Sequence, residues 1–243
     1  MNTLSLPNVT LVGIDCVDVA RLQEALNISE LHITFGASKL LTSLPNNDPR
    51  KVEIPHIGGT LEYSNFCINE LHKYVDTDYV LIVQYDGFVL NAQSWDAQFL
   101  NYDYIGAPWF VNDILINKYG FPEKLRGTFI VGNGGFSLRS KKLLTTCARL
   151  ASEKKLSKIH PEDNVICISD RSLFETEGIT FAPSDLGLRF SIEGENNVTY
   201  TKQFGFHNFK WTNIDDWINE HPEYVLTVNN YKKLCMRGTV FPS

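Results

Sequence analysis

Tyr79–Leu90 reads YVLIVQYDGFVL, and this stretch decides the fold. Tyr79 to Tyr85 is an apolar run of strand-forming residues, the pattern of a strand buried within a sheet. It ends abruptly at Asp86-Gly87. Upstream, Val9–Ile14 is a second apolar run, and it ends at Asp15. Val17 to Leu26 follows with helical spacing of Val19, Leu22 and Leu26, and Leu31–Leu41 predicts a further extended stretch. Asn46–Pro55 is polar and proline-rich and reads as a loop, and Ser64 is placed to cap a helix running to Tyr74. Strands alternating with helices predict an α/β fold, a mostly parallel sheet flanked by helices. In such sheets ligands bind beyond the carboxyl ends of the strands, where Asp15 and Asp86 fall.

The second half is less regular. Gly127–Leu138 reads as extended and glycine-rich, Lys141–Ser152 as a helix, and Ile179–Phe190 as extended. Pro161 starts a helix with Glu162 and Asp163 in its first turn, where negative charge suits the helix dipole. Asp215 onward, with Trp217, Tyr224 and Leu234, predicts one or two helices. No linker or repeat interrupts the 243 residues, so one domain over 1–243 is expected.

A net charge of -6 argues against a nucleic-acid binder. No apolar run reaches the ~18 residues of a membrane span, and Met1 to Val9 lacks the pattern of a secretory leader. The five cysteines (Cys16, Cys67, Cys147, Cys167 and Cys235) are scattered without a CxxC pair and read as buried thiols of a reducing, cytoplasmic setting. In such a setting the N-x-S/T triplets at Asn8, Asn27 and Asn197 are chance matches.

Four segments bear on chemistry. Asp86 at a strand end suits a divalent cation that in turn binds a diphosphate, and Asp-Gly equally suits a simple turn. VGNGGFSLRS, Val131–Ser140, lets the backbone bend sharply or approach a ligand, yet fits neither the phosphate-loop nor the Rossmann spacing. In HPEDNVIC, His160–Cys167, the acids are either helix caps or the source of a general base. In FGFHNF, Phe204–Phe209, His207 is either a packed residue or a metal ligand.

The strings VQYDGFVLN, YDYIGAPW, GNGGFSLRS, PEDNVIC, FAPSDLGLRFSIE and FGFHNF resemble an uncharacterised bacterial glycosyltransferase-like family, over about Val9 to His207. The resemblance implies a GT-A-like (Rossmann-like) fold, with a nucleotide-binding half over about 1–110 and an acceptor-binding half over about 111–243. It implies transfer of a sugar from a nucleotide-sugar donor to a hydroxyl acceptor, a glycan or lipid-linked glycan, in polysaccharide or glycoconjugate biosynthesis. The D-x-D metal motif of GT-A enzymes is here Gln84-Tyr85-Asp86, with only the last acid. Either Asp86 and His207 hold Mn²⁺ or Mg²⁺, or basic side chains neutralise the diphosphate. Asp163 matches the base of inverting enzymes, with Glu162 beside it near the acceptor. By position, Asp15 is expected near the base or ribose, Lys39 near a phosphate, and Gly134 and Gly135 near the donor sugar. Trp109 either stacks on a sugar or fills the core. Peripheral membrane contact fits a lipid-linked acceptor, although no basic amphipathic helix stands out. The rivals are a non-catalytic nucleotide- or sugar-binding domain, a nucleotidyltransferase, disfavoured by the acidic stretch Ile14–Asp18, and a structural interaction protein.

Overall fold

A computed structural model describes residues 3–194, 200–225 and 229. Its centre is a six-stranded sheet in the order β3-β2-β1-β4-β8-β5. These strands are β1 (Leu4–Ile14), β2 (Ile33–Thr42), β3 (Lys51–Glu53), β4 (Tyr79–Val83), β5 (Tyr104–Gly106) and β8 (Ser137–Ser140). The first four run parallel, and β8 is antiparallel to both β4 and β5, so five of the six point one way. The sheet is the mixed, mostly parallel one that the alternating pattern predicts.

Alternation along the central strands divides the core between two faces. Leu11, Leu81 and Val83 pack with Leu22 and Leu26 of α1 (Val19–Glu30). Val12, Val80 and Ile82 pack on the other face with Phe66 and Cys67 of α2 (Thr60–Asn69). The result is helix, sheet, helix. β4 is buried on both sides, which explains its unbroken apolar run.

The chain between β5 and β8 leaves the sheet. It forms β6 (Pro108–Phe110), α3 (Asp113–Tyr119) and β7 (Phe129–Val131), with β6 and β7 paired antiparallel. After β8 come α4 (Lys141–Ser152), α5 (Glu162–Asn164), α6 (Arg171–Thr176) and α7 (Ser184–Phe190). A parallel pair, β9 (Ser191–Glu193) and β10 (Gly205–His207), precedes α8 (Asp215–Glu220).

Four local expectations are corrected. Ser64 is not a helix cap: α2 begins after Gly59, and Ser64 lies buried within it. The helix also stops short of Tyr74, and Leu71–Tyr74 is a separate 3₁₀ turn. Residues 46–55 are not all loop, because β3 adds a short edge strand. Ser184–Phe190 is helical rather than extended. Gly187 lets that helix press on the fold, since a Cβ there would meet Val131 at 2.7 Å and Pro108 at 2.8 Å. Cys16, Cys67, Cys147 and Cys167 are buried free thiols, as expected. Cys235, Leu234 and Asn197 lie outside the described residues.

Because β4 carries both halves of the core, Leu81→Ala is expected to cost about 3–5 kcal/mol through the cavity it leaves. Denaturant unfolding checks this, and the transition midpoint should fall with its slope unchanged.

Candidate functional site

The carboxyl ends of β1 to β5 share one edge of the sheet. The antiparallel β8 starts at the same edge, with Ser137 opposite Ile82 of β4 and Gly106 of β5. The turn before it, Gly132-Asn133-Gly134-Gly135, is thereby set beside the end of β4. On one flank of this turn lie Gln84, Asp86, Glu193 and His207, and on the other Glu162 and Asp163.

His207 ends β10 and pairs in register with Glu193 of β9, which puts their side chains together. The imidazole Nδ1 is 2.9 Å from Glu193 Oε1. The other ring nitrogen, Nε2, is 3.0 Å from Gln84 Oε1 and 3.3 Å from Asp86 Oδ1. With Nδ1–H donating to Glu193, the lone pair of Nε2 faces two oxygen acceptors. Asp86 Oδ1 is buried and lacks a hydrogen bond. A proton on Nε2, or a cation beside it, satisfies both oxygens. Burial alone would lower the pKa of His207, but the carboxylates of Asp86 and Glu193 outweigh it and raise the pKa to about 10.

A hard divalent cation also fits. Neighbouring ligands at about 2.1 Å from an octahedral ion lie about 3 Å apart, and amide oxygens are accepted as ligands. The carboxylate of Glu193 behind Nδ1 is the usual support for a metal-bound histidine. Among the described residues no three His, Cys, Asp or Glu side chains are grouped to hold a metal. The third donor here is the amide of Gln84. Gln84 occupies the place of the first acid of D-x-D and offers an amide oxygen there instead. Its place two residues before Asp86, at the strand end, was the available signal.

Asn133 links this flank to the turn. Its Nδ2 donates to Glu193 Oε2 at 2.6 Å, and its Oδ1 accepts from Gly135 N at 3.1 Å. Gly135 lies against the imidazole, and a Cβ on it would come within 2.2 Å of His207 Nε2.

On the other flank, Asp163 Oδ2 accepts from Gly134 N at 3.1 Å and its Oδ1 from Asn164 N at 2.7 Å. Burial pushes the Asp163 carboxyl up and the neighbouring charge of Glu162 adds to this, bringing the pKa to about 7. Glu162 is buried and bound to Arg139 Nη2 at 3.1 Å, with Ser64 Oγ 3.3 Å from its other oxygen.

Asp15 is buried. Its Oδ1 accepts from Val17 N and Asp18 N at 2.7 and 3.0 Å, and Oδ2 accepts from Arg21 Nε at 2.6 Å. The Arg21 guanidinium lies 3.7 Å from the centre of the Tyr85 ring, so Asp15 reaches the Gln84-Tyr85-Asp86 segment through Arg21. Lys39 is not brought to this cluster, and its ammonium is bound by Tyr74 O at 2.7 Å and Asp76 at 2.9 Å. Trp109 packs on the backbone of Gly132, where a Cβ would meet its ring at 1.9 Å, and on Phe121 with ring centres 5.3 Å apart.

The chain belongs to a family of proteins of unknown function, DUF5672, which it matches over residues 50–207. No curated protein matches it. Among solved structures it is similar to the galactosyltransferase LgtC in complex with donor and acceptor sugar analogs, at 13% identity and a TM-score of 0.49, covering 96% of this chain and 98% of that one. An active-site mutant of LgtC is similar at 13% identity and a TM-score of 0.45, covering 88% and 95%. The apo-form glycosyltransferase GlyE of Streptococcus pneumoniae TIGR4 is similar at 13% identity and a TM-score of 0.43, covering 94% of this chain and 64% of that one.

Gly135→Ala is expected to destabilise the fold by about 1–3 kcal/mol, because the added methyl overlaps a ring held on both sides. Denaturant unfolding gives the loss. The histidine ring resonances of His207 should shift in the variant, whereas an unchanged midpoint and unchanged resonances contradict the packing described.

Proposed function

We propose that this chain is a glycosyltransferase that moves a sugar from a nucleotide donor to a hydroxyl acceptor. The observation that carries the reading is the pair of flanks on one turn. The donor atoms of Gln84, Asp86 and His207 converge on one side of Gly134-Gly135, and a carboxyl of raised pKa stands on the other. The first flank suits the diphosphate of the donor, and the second suits an attacking hydroxyl. The sequence resemblance supports the same assignment.

Gln84, Asp86 and His207 would hold Mn²⁺ or Mg²⁺, which when bound neutralises the charge that builds on the departing diphosphate. The protein's own residues do the rest. Glu193 and Asn133 fix the tilt of the imidazole. Tyr85 is braced by Arg21 beside the donor site. Gly134 and Gly135, lacking side chains, let the two flanks close on the turn, with the donor sugar expected beside it. Asp163 takes the proton from the acceptor hydroxyl as its oxygen attacks the anomeric carbon, giving inversion. Its pKa near 7 suits this task, because a base held near working pH is both ionised and able to accept a proton. Glu162, tied to Arg139, supports Asp163 rather than touching the acceptor. A polysaccharide or lipid-linked acceptor and a cytoplasmic setting complete the reading.

The same carboxyl sets the test. Asp163 ionises less readily in the fold than in the unfolded chain. Its contribution to stability is therefore complete below the ordinary value of 3.8 and is lost as pH rises through about 7. Asp163→Asn removes that loss. The variant should be more stable than the parent above pH 7, by at most about 4 kcal/mol. It should still bind the donor and lose roughly 10²–10⁴-fold in transfer. Transfer from UDP-, GDP-, CDP- and TDP-sugars to glycan acceptors is measured across pH 5–9. The parent rate should rise with ionisation near pH 7, and transfer by the variant within a few-fold of the parent excludes Asp163 as the base.

A further inference from the structure

Arg139 lies in the interior with its side chain 1% exposed, and so far only its tie to Glu162 has been used. A buried guanidinium is expensive to desolvate, and an ion pair in such a place is seldom more stable than a well-packed apolar group. Its surroundings show what it does. Nε donates to Ser137 Oγ at 3.0 Å. Nη2 lies between Gly134 O at 3.4 Å and Glu162 Oε1 at 3.1 Å. The guanidinium carbon is 5.3 Å from the centre of the Tyr104 ring.

These contacts fix both peptide groups of Gly134. The carbonyl of Gly134 accepts from Arg139 and from Ser137 Oγ, the latter at 2.9 Å. The Tyr104 hydroxyl donates chiefly to Gly132 O, with the preceding carbonyl, Asn133 O, also within reach at 3.1 Å. The N–H that shares a peptide plane with Asn133 O is that of Gly134, and it donates to Asp163 Oδ2. Through Glu162 the same guanidinium also holds the turn of helix that carries Asp163. The space is filled: a Cβ on Gly134 would meet Arg139 Nη2 at 2.7 Å, Glu162 Oε1 at 2.8 Å and Asp163 Cβ at 3.0 Å.

We infer that Arg139 is the positioning residue for Asp163, holding Gly134 and Glu162 so that the Gly134 N–H points at the Asp163 carboxylate. The inference rests on Asp163 being the base of the proposed transferase, but its geometry can be read without turnover. The charged and titratable groups facing Asp163 are Glu162 and Arg139, with Tyr104 and Cys167 also within its field. Burial and Glu162 push the carboxyl up, while Arg139 and the Gly134 N–H hold it down. Removing Arg139 takes away two of the restraints together.

The experiment is a carboxyl-carbon NMR titration of Asp163, with amide exchange at Gly134, in the parent, Arg139→Met and Arg139→Lys. Arg139→Met should move the Asp163 midpoint by more than one pH unit, since it removes the guanidinium and unpairs Glu162, and speed exchange at Gly134 at least tenfold. Arg139→Lys keeps the charge but loses the fork. Its midpoint should stay nearer the parent's while Gly134 exchange still quickens. A folded Arg139→Met with an unmoved midpoint overturns the inference. If Arg139→Met does not fold, Arg139→Lys decides, and unchanged Gly134 exchange in it overturns the inference. Failure of every nucleotide sugar to bind would remove the transferase reading and leave this result standing. An unmoved midpoint with active transfer would do the reverse.

Discussion

The site depends on one steric constraint: a turn of backbone must pass between an imidazole and a carboxylate pair with no room for a side chain. Gly135 lies against the His207 ring, and Gly134 fits between Arg139, Glu162 and Asp163. Asn133, in the same turn, spends its amide on Glu193 and on the turn itself. The two flanks are therefore connected through three consecutive residues, and neither can shift far without moving the other. Such a frame holds its groups in place before a ligand arrives, which is the condition for effective electrostatic and acid–base chemistry.

The frame is possible because of the sheet beneath it. The turn enters β8, which runs antiparallel between β4 and β5, so the start of β8 meets the ends of its neighbours. One reversed strand thus brings the glycine turn to the edge where Asp86 stands. The pair β9 and β10 supplies Glu193 and His207 to the same place by register alone.

Much of this was legible in the sequence. The apolar run Tyr79–Tyr85 and its halt at Asp86 mark the strand, its direction and its edge, because a strand covered on both faces leaves an unbroken apolar signal, and the strand itself ends at Val83. The Glu162-Asp163 pair and His207 were marked by residue type and local context. What was hidden depends on distance along the chain. Ser64 has the composition of a cap, yet it serves Glu162, 98 residues away. Gln84 offers an amide oxygen to His207, and an acidic motif does not mark such a group. Nothing in the sequence singles out Arg139, and only the fold shows that it is buried against Glu162 and Tyr104. Ser184–Phe190 looked extended because its apolar residues are spaced for either structure, and packing against Val131 and Pro108 chose the helix.

The central claim is that the flank formed by Gln84, Asp86 and His207 takes the diphosphate of a nucleotide sugar together with a divalent cation. Thermal unfolding of the intact chain with UDP, GDP, CDP and TDP and their sugars, each with and without Mn²⁺, tests it most directly. A ligand at 100 times its dissociation constant adds about 2.7 kcal/mol of stability. The account predicts stabilisation by one nucleotide class, dependent on Mn²⁺ and absent in Asp86→Ala. No stabilisation by any nucleotide, with or without the metal, or stabilisation that survives intact in Asp86→Ala, would contradict it.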